Sequence, residues 1–225
     1  MTKLIVFDCD GTLIDSQHVI ASAMTEAFTE QGLAVPHRSR LLRYVGLSLP
    51  EAMSALVHTA DADLVAKLVA SYKNAFWNQR TLPNSSAPMY AGARETIESL
   101  QAQPDVLLGL ATGKSRRGVD RFIEHENFDG VFVTIQTADN APSKPHPGML
   151  HQAMAETGAH PDDTVMIGDT SFDMEMARSA HVRAIGVTWG YHRAEEMMRA
   201  GAHDIVHDFG GLLEHLSPVR NAAVA

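Results

Sequence analysis

An apolar run that stops abruptly at acidic residues places the strongest constraint on how this chain can fold. Residues 4–7 (Leu-Ile-Val-Phe) are continuously apolar, and Asp8-Cys9-Asp10-Gly11 follows directly. Such a run predicts a strand buried on both faces, as in a parallel sheet, and the Asp-Gly pair predicts a turn at its end. The first strand is therefore expected to deliver acidic side chains to one edge of a sheet.

The rest of the chain divides into a helical stretch and an alternating stretch. Helical spacing without strand-like alternation covers residues 16–80, and residues 81–88, which include two prolines, form a predicted linker. Predicted strands then alternate with helices, at residues 106–110, 131–135, 165–167, 184–187 and 204–206. Because this alternation implies βαβ units, the predicted fold class is α/β, a doubly wound parallel sheet with an inserted α-helical cap. The predicted domains are a core of residues 1–15 and 84–225 and a cap of residues 16–83.

Composition excludes several classes of partner. The 27 acidic and 18 basic residues give a net charge of −9, which disfavours nucleic acid and anionic membranes. No apolar run approaches the roughly 20 residues of a membrane span. Cys9 is the single cysteine, so no intrachain disulfide can form and a reducing compartment fits. We expect a cytoplasmic monomer or homodimer whose partner is a small molecule.

Polar residues collect where the predicted strands end. Ligands of open parallel sheets bind at this carboxyl edge. The residues in question are Asp8, Asp10, Gly11 and Thr12 after the first strand, Thr112 and Gly113 after the second, Lys144 after the third, and Asp169 and Asp173 after the fourth. Clustered carboxylates repel one another, so they require a hard cation, and oxygen ligands favour Mg²⁺. A lysine and a Thr-Gly turn beside a metal suit a phosphoryl group, which predicts metal-assisted phosphoryl transfer.

These strand ends resemble the four motifs of haloacid-dehalogenase-superfamily phosphatases, and in particular of their phosphoglycolate-phosphatase-like members. The matching stretches are Asp8-Cys9-Asp10-Gly11-Thr12-Leu13, Thr112-Gly113, Lys144-Pro145 and Gly168-Asp169-Thr170-Ser171-Phe172-Asp173. The resemblance covers the core, and the helical stretch after the first motif is similar to the family's small cap. It implies a Mg²⁺-dependent phosphomonoester hydrolase that acts on a small phosphorylated metabolite.

The resemblance also implies a role for each matching residue. Asp8 would attack phosphorus and become an aspartyl-phosphate, while Asp10 would protonate the leaving oxygen and later deprotonate water. Thr112 and Lys144 would hold phosphoryl oxygens. Mg²⁺ would be bound by the Asp8 carboxylate, the Asp10 carbonyl, Asp169 and, directly or through water, Asp173. Backbone N–H groups near Cys9, Asp10 and Gly113 would bind the phosphate. Gly11 would allow a sharp turn of the chain. Capping of a helix explains Asp173 nearly as well.

Substrate choice is expected to depend on the cap. The turn at residues 44–48 lies between two predicted cap helices and can point at the core. Arg43 beside it either meets a second anionic group of the substrate or is an ordinary solvated helix charge.

Three further patterns resemble functional sites but lack a feature that such sites require. Cys9 has no histidine placed to activate it, so it is expected to be a core residue. Residues 109–115 (GLATGKS) have three residues between the glycines where a P-loop needs four, which leaves Lys114 as a solvent-facing residue or a charge at the rim of the site. His203 and His207 flank a predicted strand, which separates them too far for a zinc pair.

Two alternative functions stay open. A phosphosugar mutase of the β-phosphoglucomutase type would use the same aspartyl-phosphate but return the group to a sugar. A phospho-receiver or phosphate-binding module without turnover would accept phosphate on Asp8, but Asp10 would then have no purpose.

Overall fold

The computed structural model describes residues 2–59, 61–80 and 87–216. Its strands are β1 Lys3–Phe7, β2 Val106–Thr112, β3 Phe132–Thr137, β4 Thr164–Gly168, β5 Arg183–Val187 and β6 Asp204–Val206. Its helices are α1 Gln17–Glu30, α2 Arg38–Leu42, α3 Leu49–Val57, α4 Ala62–Arg80, α5 Ala93–Gln101, α6 Arg116–Glu126, α7 Gly148–Thr157, α8 Ser171–Ser179, α9 Ala194–Ala200 and α10 Phe209–Leu216. The predicted α/β architecture is confirmed. Most of the predicted linker, including the boundary between residues 83 and 84, lies outside the described residues.

All six strands form one parallel sheet in the order β3-β2-β1-β4-β5-β6. In β1, Phe7 pairs with Leu110 of β2 on one side and with Ile167 of β4 on the other. The chain winds outward from β1 to β3 and then returns to β4, so the strand order reverses between β1 and β4. A crevice for ligands opens at the carboxyl ends of strands at such a reversal.

The alternating side chains of β1 pack into two different apolar cores. Ile5 and Phe7 belong to the core on one face of the sheet, and Leu4 and Val6 belong to the core on the other. All four are fully buried, as an unalternating apolar run requires. Helices cover both faces, which makes β1 the rigid base from which the acidic residues project.

Helices α1–α4 form a helical insert with an apolar core of its own. Ile20, Met24 and Phe28 of α1 pack there with Met53 of α3 and Leu68 of α4. The predicted absence of strands in this stretch is confirmed for its described residues, apart from isolated bridges such as that between Val45 and Leu47. Among the helices that the structure describes, none is both long enough and apolar enough to cross a membrane.

Candidate active site

The first acidic motif forms a tight turn at the end of β1. The Asp8 N–H continues the sheet by donating to the Ile167 carbonyl at 2.9 Å. Gly11 then adopts a φ of 89°, in the left-handed region that favours glycine. A Cβ atom at Gly11 would lie 2.3 Å from Asp169 Oδ2 and 2.4 Å from a ring carbon of Tyr191. Only glycine therefore lets this turn approach the acid that follows β4.

Three carboxylates meet where β1 and β4 end. One oxygen each of Asp8, Asp169 and Asp173 lies within 4.8 Å of the other two, and all three residues are buried. Asp169 accepts hydrogen bonds from the Thr12 hydroxyl at 2.9 Å and from the Tyr191 N–H at 2.8 Å. The sequence prediction that β1 and β4 bring their acids together is therefore matched by the geometry.

Asp173 caps a helix and at the same time faces the carboxylate cluster. Its Oδ2 accepts from the N–H and the hydroxyl of Thr170, and Thr170 caps α8 in return, which completes a capping box. Its Oδ1 accepts from Lys144 Nζ at 2.6 Å. Asp173 thus caps the helix and also contributes charge to the cluster.

Lys144 is the buried cation of this cluster. Its Nζ lies 3.0 Å from Asp8 Oδ1 as well as 2.6 Å from Asp173 Oδ1, and no part of the residue is exposed. Burial lowers the pKa of Lys144, but the charges of Asp173 and Asp8 outweigh burial and raise it above its ordinary value. Lys144 is therefore protonated and offers a fixed positive charge beside Asp8.

One lysine leaves the three carboxylates incompletely balanced. Neither oxygen of the buried Asp8 accepts a hydrogen bond of acceptable geometry from the described residues. Burial raises the pKa of Asp8 to about 6, since the lowering by Lys144 is smaller and Asp173 adds a further raising effect. Burial, with Asp8 and Asp173, also raises the pKa of Asp169 well above its ordinary value. Orphaned, buried carboxylate oxygens are what a hard cation with oxygen ligands would satisfy, so the residues fit Mg²⁺.

Asp10 faces a different cation from Asp8. Lys114 Nζ lies 2.7 Å from each carboxylate oxygen of Asp10, and the two side chains are only 9% and 11% exposed. A solvent-facing Lys114 was therefore the wrong alternative. Gly118 explains the difference, because a Cβ there would lie 2.7 Å from Lys114 Cγ. Without that Cβ, the lysine can fold back over α6 and enter the site.

The turn after β2 contacts the helical insert directly. Thr112 is buried, and its hydroxyl accepts from the Lys114 N–H at 3.2 Å. A Cβ at Gly113 would lie 2.4 Å from the Leu47 carbonyl oxygen, so the turn of residues 44–48 packs against the backbone here. The same turn donates from the Ser48 N–H to the Ser143 hydroxyl at 2.8 Å. Residues 44–48 thus reach the core site, as expected from their position between two helices.

A cavity of about 550 Å³ lies between the helical insert and the core. Its lining includes Asp8, Asp10, Thr112 and Gly113 from the core, and the turn of residues 44–48 from the insert. The carboxylates of Asp8 and Asp10 therefore face a space large enough for an organic phosphate.

Arg43 lies outside this cavity. Its side chain is 59% exposed and pairs with Glu196 at 3.3 Å, while its carbonyl oxygen lies 2.9 Å from His192 Nε2. The observed contacts are those of a surface charge, and none of them brings Arg43 to the carboxylate cluster.

Sequence reasoning missed the residues that support Asp169. Gly190 lies so close that a Cβ there would be 2.2 Å from Asp169 Oδ2, and Tyr191 also bonds through its hydroxyl to Ser16 at 3.0 Å. Trp189 donates from Nε1 to the Thr12 carbonyl at 3.0 Å. The Trp-Gly-Tyr stretch after β5 was the available signal, because its glycine between two aromatic residues indicates a close backbone approach.

The other candidate patterns behave as expected. Cys9 is fully buried in an apolar core, and burial raises the pKa of its thiol. Gly109 lies inside β2, so residues 109–115 form no P-loop. His203 and His207 lie at opposite ends of β6 and contact different groups, the Ala184 N–H and the Thr188 hydroxyl.

Comparison with known proteins agrees with this geometry. Residues 5–187 match the family model described as haloacid dehalogenase-like hydrolase. The chain is 32% identical over 211 residues to the "Probable phosphatase IndB" of Dickeya dadantii, covering 93% of this chain and 91% of the relative. It is 27% identical over 220 residues to a phosphoglycolate phosphatase of Pseudomonas putida, covering 95% and 79% of the two chains. The crystal structure of a hydrolase from Pseudomonas syringae superposes with a TM-score of 0.84 at 26% identity, covering 96% and 98%. On these grounds the chain belongs to the haloacid dehalogenase-like hydrolases.

Proposed function

We propose that this phosphatase hydrolyses the phosphomonoester bond of a small phosphorylated metabolite, with Asp8 as its nucleophile and Mg²⁺ as its metal. The observation that carries the proposal is the Asp8 carboxylate, which is buried, makes no hydrogen bond of acceptable geometry with the described residues and is paired with Lys144 Nζ at 3.0 Å. A carboxylate in this state is costly unless it has a task, since an ordinary structural carboxylate would be hydrogen-bonded. Nucleophilic attack on a bound phosphoryl group is such a task.

The two carboxylates of the first motif divide the reaction between them. An Asp8 oxygen attacks phosphorus as the ester P–O bond breaks, and Asp10 gives its proton to the leaving oxygen, which departs as an alcohol. Asp10 then takes a proton from water as that water attacks the aspartyl-phosphate. The second displacement releases inorganic phosphate and restores the Asp8 carboxylate.

The surrounding groups hold the phosphoryl oxygens. Lys144 and the Thr112 hydroxyl supply side-chain contacts, and the backbone N–H groups near Cys9, Asp10 and Gly113 supply further donors. Asp8, Asp169, the Asp10 carbonyl and, directly or through water, Asp173 would hold Mg²⁺, and the bound metal would supply positive charge that stabilises the negative charge on those oxygens.

Residues 16–83 act in this proposal as a helical cap over a core of residues 1–15 and 84–225. Water must be excluded during attack by Asp8 and admitted for the second step, and movement of a cap provides both states. The contacts of Leu47 and Ser48 with Gly113 and Ser143 support this role, because they position the cap turn over the site. A cytoplasmic location and a monomeric or homodimeric state stay predictions.

A screen of phosphorylated metabolites tests the proposal. Wild-type protein with Mg²⁺ should release inorganic phosphate from at least one member, and phosphoglycolate is the first to try because similar proteins carry that name. Chelation of the metal should abolish release. Isomerisation of a sugar phosphate without release would instead indicate the mutase, and stable phosphorylation of Asp8 without turnover would indicate a receiver.

Mg²⁺ should also stabilise the folded protein, independently of activity. Binding at a hundredfold excess over Kd contributes about 2.7 kcal/mol, which for a chain of this size corresponds to a rise in Tm of roughly 5–10 °C. Differential scanning fluorimetry would measure it.

Two variants test whether the rise in Tm comes from Mg²⁺ bound at the carboxylate cluster. Asp169→Asn should reduce the Mg²⁺-dependent rise in Tm to less than about 2 °C, because it removes one carboxylate charge from the cluster. Asp162→Asn, an exposed acid before β4, should keep the full rise. A full rise in Asp169→Asn, or none in the wild type, would contradict the metal assignment.

A further inference from the structure

Much of the cavity is lined by side chains that the phosphoryl chemistry does not use. Beyond Asp8, Asp10, Thr112 and Gly113, and apart from the turn of residues 44–48, the lining includes two groups of different chemistry. Apolar and aromatic side chains come mainly from α1 and α4 and include Ile20, Met24, Tyr72, Phe76 and Trp77. Basic side chains from α6 form the second group. They would contact the end of the substrate that is remote from phosphorus.

The basic residues are aligned along one face of α6. Arg117 and Arg121 both line the cavity and are spaced by four residues, which places them on the same side of the helix, and Lys114, which also lines the cavity, lies just before the helix begins. At about 1.5 Å per residue, Arg121 lies roughly 6 Å further along the helix axis than Arg117. Because Lys114 binds Asp10, this face leads away from the acid that protonates the leaving group.

Arg117 differs from Arg116 and Arg43 in how it is held, and Arg121 stacks on the same Trp77 ring as Arg117 does. Arg116 pairs with Asp120 and Arg43 pairs with Glu196. Within the described ranges, no carboxylate pairs with Arg117, and its guanidinium carbon instead lies 3.9 Å from the centroid of the Trp77 ring. Stacking fixes the plane of a guanidinium while leaving its N–H edge free to bind an anion.

The acids of the lining are already engaged. Asp10 holds Lys114, and Asp139 Oδ2 accepts from the Arg116 N–H at 2.7 Å at the start of α6. Asp8 belongs to the cluster with Lys144. No lining acid therefore neutralises Arg117, and the unmet charge faces a cavity that receives anionic substrates.

Aromatic rings line the cavity between the Asp10–Lys114 pair and Arg117. Tyr72 and Phe76 stack with their ring centroids 5.6 Å apart, and the Phe76 ring centroid lies 5.8 Å from Lys114 Nζ. The surface directly beside the Asp10–Lys114 pair is therefore apolar. A leaving group that extends along this apolar surface gains binding free energy by burying an apolar, ring-sized segment against it.

We infer that the substrate's leaving group carries an apolar, ring-sized segment along α4 and a second anionic group that binds Arg117. This inference rests on the proposed function, since it assumes that the phosphoryl group occupies the site at Asp8. It also disfavours phosphoglycolate as the best substrate. The carboxylate of phosphoglycolate is too close to its ester oxygen to reach from Asp10, past Lys114, to Arg117 in the first turn of α6.

Two synthetic esters that differ only in charge test the inference. The first is 4-(carboxymethyl)phenyl phosphate, and the second is the corresponding neutral carboxamide. The wild type should hydrolyse the carboxylate ester with a kcat/KM at least about fivefold higher than the amide, and higher than that for phosphoglycolate. Arg117→Gln should lower kcat/KM for the carboxylate ester about tenfold, the size of one charge-assisted hydrogen bond, and change the amide less than about twofold.

Arg116→Gln is the matched control, because it removes the neighbouring arginine, which pairs with Asp120 outside the cavity. It should leave the carboxylate-to-amide ratio of the wild type unchanged. Equal kcat/KM for the two esters in the wild type, an unchanged ratio in Arg117→Gln, or faster hydrolysis of phosphoglycolate would overturn the inference while phosphate release still supported the proposed function. Failure of the wild type to release phosphate from any ester would remove both.

Discussion

Asp8→Asn is expected to lower phosphate release by about four orders of magnitude or more, because it removes the proposed nucleophile and not merely a supporting contact. The substitution is nearly isosteric, so the effect should lie in kcat and should not be recovered by raising substrate or Mg²⁺ concentration. The measurement is inorganic phosphate released from the best substrate of the metabolite screen. Acid quenching with ³²P-labelled substrate should in addition trap label on the wild type and none on the variant.

Loss of activity in Asp8→Asn should not come from unfolding. The Asp8 carboxylate is buried and makes no hydrogen bond of acceptable geometry with the described part of the chain. Burial raises its pKa to about 6 although Lys144 opposes this, so its ionised form opposes folding at neutral pH when no metal is bound. Neutral Asn should therefore leave the metal-free Tm unchanged or higher. Asp162→Asn serves as the control for removing one exposed acid. Retention of more than about a tenth of wild-type activity would contradict a nucleophilic role for Asp8.

The fold was largely predictable because its signals are local. The unalternating run of β1 and the alternation of strands and helices after residue 88 required only neighbouring residues, and these elements match the structure within a few residues. The ends of strands were less predictable. β3 extends to Thr137 although its last residues are polar, because buried Gln136 donates to the Thr134 hydroxyl at 2.9 Å and Thr137 bonds to Asn140. Such partners cannot be seen in a hydrophobicity pattern.

The start of α2 shows a related limit. Within the predicted helical stretch of residues 16–80, the apolar spacing of this helix starts only at Leu41, whereas α2 spans Arg38–Leu42. The helix begins early because His37 Nδ1 accepts from the Ser39 N–H at 3.3 Å, a cap that the usual N-cap residues do not indicate. Short helices of this kind depend on individual hydrogen bonds more than on periodicity.

Within the site, the residues at strand ends were predictable and their supports were not. Asp8 and Asp169 follow adjacent strands, so parallel topology alone brings them together. The Thr12–Asp169 hydrogen bond joins residues 157 positions apart, and the Lys114–Asp10 pair joins residues 104 apart. No residue spacing encodes such contacts, which arise only when the sheet has formed.

Lys144→Met should destabilise the folded protein by about 3–5 kcal/mol at pH 8 without metal, because it leaves two buried carboxylates facing each other with no cation between them. Lys144 Nζ now lies 3.0 Å from Asp8 and 2.6 Å from Asp173, and methionine fills a similar volume without the charge. The free energy of unfolding from urea titration measures the loss. Mg²⁺ should restore part of it by replacing the missing charge.

The loss should also depend on pH, with a sign that the cluster determines. Burial already raises the pKa of Asp8 to about 6 while Lys144 opposes it, so removing Lys144 must raise that pKa further. A carboxyl whose folded pKa exceeds its unfolded value favours folding below the unfolded pKa and loses that contribution as pH rises through the folded pKa. The stability difference between wild type and Lys144→Met should therefore shrink as pH falls from 8 towards 5.

A double-mutant cycle separates this electrostatic cause from lost packing. If uncompensated charge at Asp8 destabilises Lys144→Met, then Asp8→Asn in that background should recover about 1–3 kcal/mol, the interaction energy of groups in one network. In the wild-type background, the same substitution removes a carboxylate that Lys144 already balances in part, so the gain should be smaller. Two results would contradict this account: Lys144→Met is as stable as the wild type at pH 8, or Asp8→Asn has the same effect in both backgrounds. Either result would mean that Lys144 does not provide the charge balance on which binding of a phosphoryl group at Asp8 depends.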